Sequence, residues 1–107
     1  MAEERSTKNA RAAVGKTVNG AANVVRGVAT LFAVVLVAEI VLTLGNANPE
    51  NGIVTRVADL ARPLALGFRD LFTPSDPKTL VLVNYGLAAI FWLVVGVVLA
   101  KVIRRLI

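Results

Sequence analysis

The sequence predicts an all-α membrane protein, a hairpin of two transmembrane helices joined by an amphipathic connecting segment. Two apolar windows carry that prediction. Positions 27–45 (GVATLFAVVLVAEIVLTLG) hold 19 residues with one charge, and positions 79–100 (TLVLVNYGLAAIFWLVVGVVLA) hold 22 with none. At ~1.5 Å per residue they reach roughly 28 and 33 Å, enough for a hydrocarbon core of ~30 Å. The third observation is what the chain lacks. In 107 residues no amphipathic partner is large enough to cover two such helices in water, which argues against a buried soluble helix pair.

The elements follow in order. Positions 1–26 form a basic arm, frayed over 1–9 and weakly helical from Ala10, with Val14, Val18, Ala21 and Val25 on one stripe. Gly15 and Gly20 weaken that pattern. The arm is too long, and the apolar run behind it too long and interrupted by Glu39, for a signal peptide, so the first span is expected to stay uncleaved. The connecting segment 46–78 opens on Asn48-Pro49-Glu50, an N-cap followed by a first-turn proline, with Asn51 as a competing cap. Ile53, Val57, Leu60, Leu64, Phe68 and Leu71 then recur at helical spacing, with Arg56, Asp59, Arg62, Arg69 and Asp70 mostly opposite. This predicts an amphipathic helix over 50–72, bent near Arg62 by Pro63. Tied at both ends to spans, it is expected along the outer membrane face with its stripe in lipid, or else against a partner subunit. Thr73 to Lys78 reads as a turn, with Asp76 capping the second span and Pro77 at its first position. Positions 101–107 form a basic tail.

Orientation comes from the basic residues. The arm and tail together carry eight Lys and Arg, the connecting segment of equal length only four. The positive-inside rule then places both termini in the cytoplasm and the connecting segment outside, in an inner or plasma membrane. The basic ends read as topogenic and anionic-lipid contacts. They lack the aromatic interleaving of a nucleic-acid surface, so no nucleic acid is expected as a partner.

Glu39 is the single ionisable residue inside a span, and Asn84 and Tyr85 share its depth in an antiparallel hairpin. A carboxyl group in hydrocarbon is expensive unless paired or protonated. A hydrogen bond from Glu39 to Asn84 or to the Tyr85 hydroxyl is therefore expected, as glue within the hairpin, as a contact to a partner, or as part of a proton or ion path. Ala29/Ala33 and Gly96/Ala100 stand at small-xxx-small spacing, which allows close helix approach. The sequence contains no Cys and no His, so disulfides, thiol chemistry, His-ligated haem and the usual zinc sites are excluded within this chain. No nucleophile–base pair, metal constellation or phosphate loop is visible, and neither enzymatic activity, a cofactor nor a small-molecule substrate is expected.

The order Asn48-Pro49, Ile53-Val54, Arg62-Pro63-Leu64, Phe68-Arg69-x-Leu71-Phe72-x-Pro74 and Asp76 before an apolar span resembles one two-span repeat unit of the YggT family, over about residues 30–107. The sequence departs from that pattern where paired arginines are expected: Arg69 is followed by Asp70, and Leu66 or Gly67 replaces a proline. Asn48, Pro49, Pro63, Arg69, Pro74 and Asp76 are the family-like positions. The resemblance implies a bacterial membrane protein, a fold and an address, but no defined activity. The resulting expectation is a small non-enzymatic membrane protein that acts by helix–helix association, as an accessory subunit or scaffold, with lipid and other membrane subunits or copies of itself as partners. The alternative is a holin-type or oligomeric pore, or an ion-coupled transport component.

Overall fold

A computed structural model describes residues 2–106 of the chain. All elements are helical among the described residues: α1 (Ala2–Leu44), α2 (Gly52–Leu64), a 3-10 turn (Leu66–Asp70) and α3 (Pro77–Arg104). α1 and α3 are both long and apolar enough to cross a membrane.

The arm and the first span are one continuous helix of 43 residues. The arm is helical from Ala10, as its pattern suggests, but the frayed start is not found: residues 2–9 are helical too, and Met1 lies outside the described residues. No proline interrupts this stretch. The hydroxyls of Thr7, Thr17 and Thr30 donate to carbonyls four residues earlier, and Glu3 and Glu4 sit in the first turn, where the helix dipole favours negative charge. α1 stops at Asn46, which takes a left-handed φ of 55°. The amides of Ala47 and Asn46 then return to the carbonyls of Leu42 and Thr43, at 2.9 and 3.2 Å, which satisfies the last turn. Asn tolerates this conformation better than most residues.

α3 begins where Asp76 caps it, as the sequence predicts. Its Oδ2 accepts from the Thr79 hydroxyl at 2.7 Å and its Oδ1 from the Lys78 amide at 3.4 Å. The Thr79 hydroxyl holds the Asp76 carboxyl below its ordinary value, opposed by desolvation and assisted by the Lys78 and Thr79 amides and the Lys78 charge. A folded value lower than the unfolded one means a stabilisation present in full above the unfolded value and lost as pH falls through the folded value. Acidification is therefore expected to remove hydrogen-exchange protection at Lys78 and Thr79 in the parent chain. Asp76→Asn should keep a cap without that pH dependence.

The two long helices pack antiparallel. Arg104 Nη2 donates to Asn23 Oδ1 at 3.0 Å, a Cβ at Gly96 would meet Ala29, and Phe32 meets Trp92 edge-on with centroids 4.9 Å apart. The contact is built from small residues: Ala22, Ala29, Ala33, Ala88, Ala89, Gly96 and Ala100 are buried, together with Leu36 and Ile40. Larger side chains such as Leu31, Val34, Val41, Ile90 and Val94 point outward and are more than half exposed. That inversion of size, small inside and branched outside, is what a helix pair in lipid favours.

The connecting segment differs from the expectation. A single bent helix over 50–72 is not formed. α2 starts at Gly52 because Asn51, not Asn48, caps it, accepting from the Ile53 amide at 2.9 Å. Asn48 turns the chain locally, accepting from the Glu50 amide at 3.0 Å. α2 ends one residue beyond Pro63, and Leu66 reverses the chain with a left-handed φ of 53°. Nor does α2 lie across the end of the hairpin. Trp92 Nε1 donates to the Leu64 carbonyl at 2.8 Å, and Trp92 stands beside Phe32. From Leu44 back to the level of Phe32 is about 18 Å, and the rise of α2 is about 20 Å, so α2 must run back along α1 nearly parallel to the hairpin axis. The 3-10 turn then climbs beside α3, with Phe68 packed on Phe91 at 5.4 Å.

Candidate functional site

Two alanines make the fold-back possible. Ala61 and Ala65 are fully buried against Ala33, Leu36, Ala88 and Ala89, with Leu64, Phe68, Tyr85 and Trp92 packed around them. The predicted stripe is therefore divided. Val57, Leu64 and Phe68 are partly buried, whereas Ile53, Leu60 and Leu71 are exposed. The packed face is centred on the alanines, which hydropathy alone passes over; their i, i+4 spacing was the available signal.

Trp92 satisfies a carbonyl at the end of α2 that no helix bond uses. Trp92→Phe retains the stacking on Phe32 and removes this hydrogen bond. It is expected to lower stability by about 1 kcal/mol in a detergent melt and to speed exchange in α2.

Asn84 is the second anchor. It is fully buried, its Nδ2 donates to the carbonyls of Arg69 (3.0 Å) and Phe72 (2.7 Å), and its Oδ1 accepts from the Phe72 amide (3.0 Å). Both of its N–H groups are thus committed to backbone, which is why the expected hydrogen bond to Glu39 is not formed. The family-like positions are spread along the connecting segment. Pro49 offers its carbonyl to the Thr55 hydroxyl, Arg69 offers its carbonyl to Asn84, Pro74 is half-buried, and Asp76 caps α3.

Glu39 faces away from Asn84, into a groove between α1 and α2 with a volume of about 430 Å³. Leu42, Thr43, Val54, Thr55, Asp59 and Arg62 share that lining. Glu39 Oε1 accepts from the Thr43 hydroxyl at 3.2 Å, while Oε2 is buried with no hydrogen-bond partner among the described residues. Arg62 lies 3.9 Å from Asp59, the one ion pair among the described residues, and both side chains are more than half exposed. Tyr85 is half-buried within electrostatic reach of Glu39, Arg62 and Arg69. The groove therefore brings together the Glu39 carboxyl group, the Arg62 guanidinium and a second carboxyl group, Asp59, between α1 and α2. Asp59 and Arg62 belong to it because α2 folds back, which residue spacing does not reveal.

Comparison of the chain with family models, with curated proteins and with solved structures finds no match.

Proposed function

We propose that the chain is an integral protein of the inner or plasma membrane that crosses it twice with both termini in the cytoplasm. On this reading it works without catalysis, by lateral association, as an accessory subunit or scaffold of a membrane assembly. The observation that carries the reading is the charged face of the fold-back. With α1 and α3 spanning a bilayer, Trp92 sits about 20 Å below Thr79, and the Leu64 carbonyl it holds lies close to the midplane of a ~30 Å core. Arg62 and Asp59, 59% and 63% exposed along their side chains, then project at a depth where bare charge is expensive in lipid. A protein surface over that face removes the penalty. The YggT-like order of Asn48, Pro49, Pro63, Arg69, Pro74 and Asp76 supports the same membrane address.

Native mass determination of the tagged chain, recovered from its host in nanodiscs, tests the reading. Recovery in stoichiometric association, with itself or with another membrane protein, is the expected result. A chain found only as an isolated monomer would reject it. An ion-coupled or pore role is the second reading, favoured by the polar groove at Glu39. It requires that Glu39→Gln change ion flux into vesicles, which the association reading does not.

A further inference from the structure

We infer that a slot between α1 and α3, at the end of the hairpin nearest the termini, holds one anionic phospholipid. Its phosphate sits among Arg26, Lys101 and Arg104, and an acyl chain runs along Leu93 and Val97. The inference goes beyond lateral association and rests on the reading that α1 and α3 span a bilayer.

Each wall of the slot is one stripe of one helix. On α3, Leu93, Val97, Lys101 and Arg104 follow at helical spacing, and on α1 so do Asn23, Arg26 and Thr30, so each set shares a face. The Arg104–Asn23 hydrogen bond, at 3.0 Å, ties the two stripes together at their ends. Between them, Arg26, Thr30, Leu93, Gly96 and Val97 line a slot of about 60 Å³. The Thr30 hydroxyl donates to the Arg26 carbonyl at 2.8 Å, so its proton is committed and the wall beyond Arg26 is otherwise apolar.

The cations around this slot are uncompensated. Arg26, Lys101 and Arg104 are all exposed, and the ion pair among the described residues involves none of them. Between Glu4 and Glu39, and after Asp76, the sequence holds no Asp or Glu. Arg26 is thus about 20 Å along α1 from Glu39, the nearer of the two acids on its helix. The neutralising charge must come from outside the chain. A zwitterionic lipid brings its own cation with each phosphate, whereas an anionic lipid brings net negative charge, which selects the latter.

The depths fit a headgroup. Lys101 and Arg104 lie about 33 and 37 Å below Thr79, just past a ~30 Å core. A Cβ on Gly96 would stand 3.6 Å from the Arg26 Cα, so Arg26 starts about 25 Å below Thr79, still inside the core. Side chains on α1 lean toward its N-terminus. Arg26 therefore reaches out of the hydrocarbon to the level of Lys101 and Arg104, as long basic side chains do at a membrane boundary. A phosphate at the mouth of the slot accepts from both guanidiniums, and its acyl chain continues up the apolar wall.

Native mass determination of the delipidated full chain in detergent, titrated with phosphatidylglycerol or phosphatidylcholine, tests the site. One phosphatidylglycerol per chain should be retained, about tenfold or more tighter than phosphatidylcholine. Arg26→Gln combined with Arg104→Gln should abolish that preference. Arg5→Gln combined with Lys8→Gln removes the same charge from the far end of the arm and should keep it. Lys101→Gln touches no hydrogen bond of the hairpin and should lower the preference a few-fold by itself, whether or not the double variant folds. Val97→Phe fills the slot at constant charge and should weaken phosphatidylglycerol retention. Parental behaviour of any of these three slot variants, or an equal loss in the arm variant, overturns the inference. Displacement of the lipid by millimolar glycerol phosphate also overturns it, because it marks an anion site that needs no acyl chain. A chain absent from the membrane fraction rejects the spanning reading itself. A membrane-bound chain without the preference rejects this site alone.

Discussion

Replacing Gly96 by leucine is expected to force the two long helices apart. A Cβ at this position would lie 2.7 Å from the Ala29 Cβ and 3.6 Å from the Arg26 Cα. Neither neighbour can swing aside, because one is a methyl fixed to the α1 backbone and the other is backbone itself. The helices must separate around this contact, where Ala22, Ala29 and Ala100 are buried, and the nearby Arg104–Asn23 hydrogen bond goes with them. Overpacking of this kind costs about 3 kcal/mol, the upper end of the usual range. Gly86 supplies the control, since an added Cβ there meets nothing within 4 Å. Thermal unfolding in detergent should show a large drop for Gly96→Leu and little change for Gly86→Leu. Equal drops would mean that the close contact does not hold the hairpin.

The second large effect is expected at Asn84. Asn84→Leu keeps the branched shape in a somewhat larger side chain and removes three hydrogen bonds at once, leaving the Arg69 and Phe72 carbonyls and the Phe72 amide without partners. Single polar contacts between membrane helices average below 1 kcal/mol. Three buried backbone groups orphaned together raise the expected loss to about 3 kcal/mol. Asn84→Asp is the sharper test. An aspartate still accepts from the Phe72 amide, but it turns carboxylate lone pairs toward two carbonyls, so it should be no better than leucine. The readout is hydrogen exchange over residues 66–76, which should rise toward that of an unanchored loop in both variants. An aspartate as protected as the parent would contradict the geometry.

The hairpin was legible because it depends on hydropathy and length, and both survive translation into three dimensions. The cap at Asp76 and the small contact residues Ala29, Ala33, Gly96 and Ala100 were legible for local reasons, being fixed by a few neighbouring atoms. The fold-back of α2 was not. A stripe at helical spacing states which side of a helix is apolar, not what covers it. Ile53, Leu60 and Leu71 dominate that stripe in hydropathy, yet they remain exposed, because Ala61 and Ala65 let the backbone approach the hairpin closely and larger side chains cannot. Counting residues along an antiparallel hairpin gives Glu39 and Asn84 a common level, but level leaves the angle about each helix axis open. Asn84 turns toward the connecting segment and Glu39 toward the groove. The pairing of Asn84 with backbone fifteen and twelve residues away leaves no periodic trace in the sequence.

The account depends most on α2 running back along the hairpin. Spin labels on the cysteine-free chain measure this directly, in nanodiscs, with labelled protein diluted into unlabelled protein so that distances within one copy dominate. One double variant carries labels at Leu66 and Leu31, the other at Leu66 and Asn46, all exposed positions. With the fold-back, Leu66 lies near the level of Leu31 and about 20 Å below Asn46. The Leu66–Leu31 distance should then be the shorter of the two. If α2 instead lies across the loop end of the hairpin, the order reverses, and the groove and its charged face fall together.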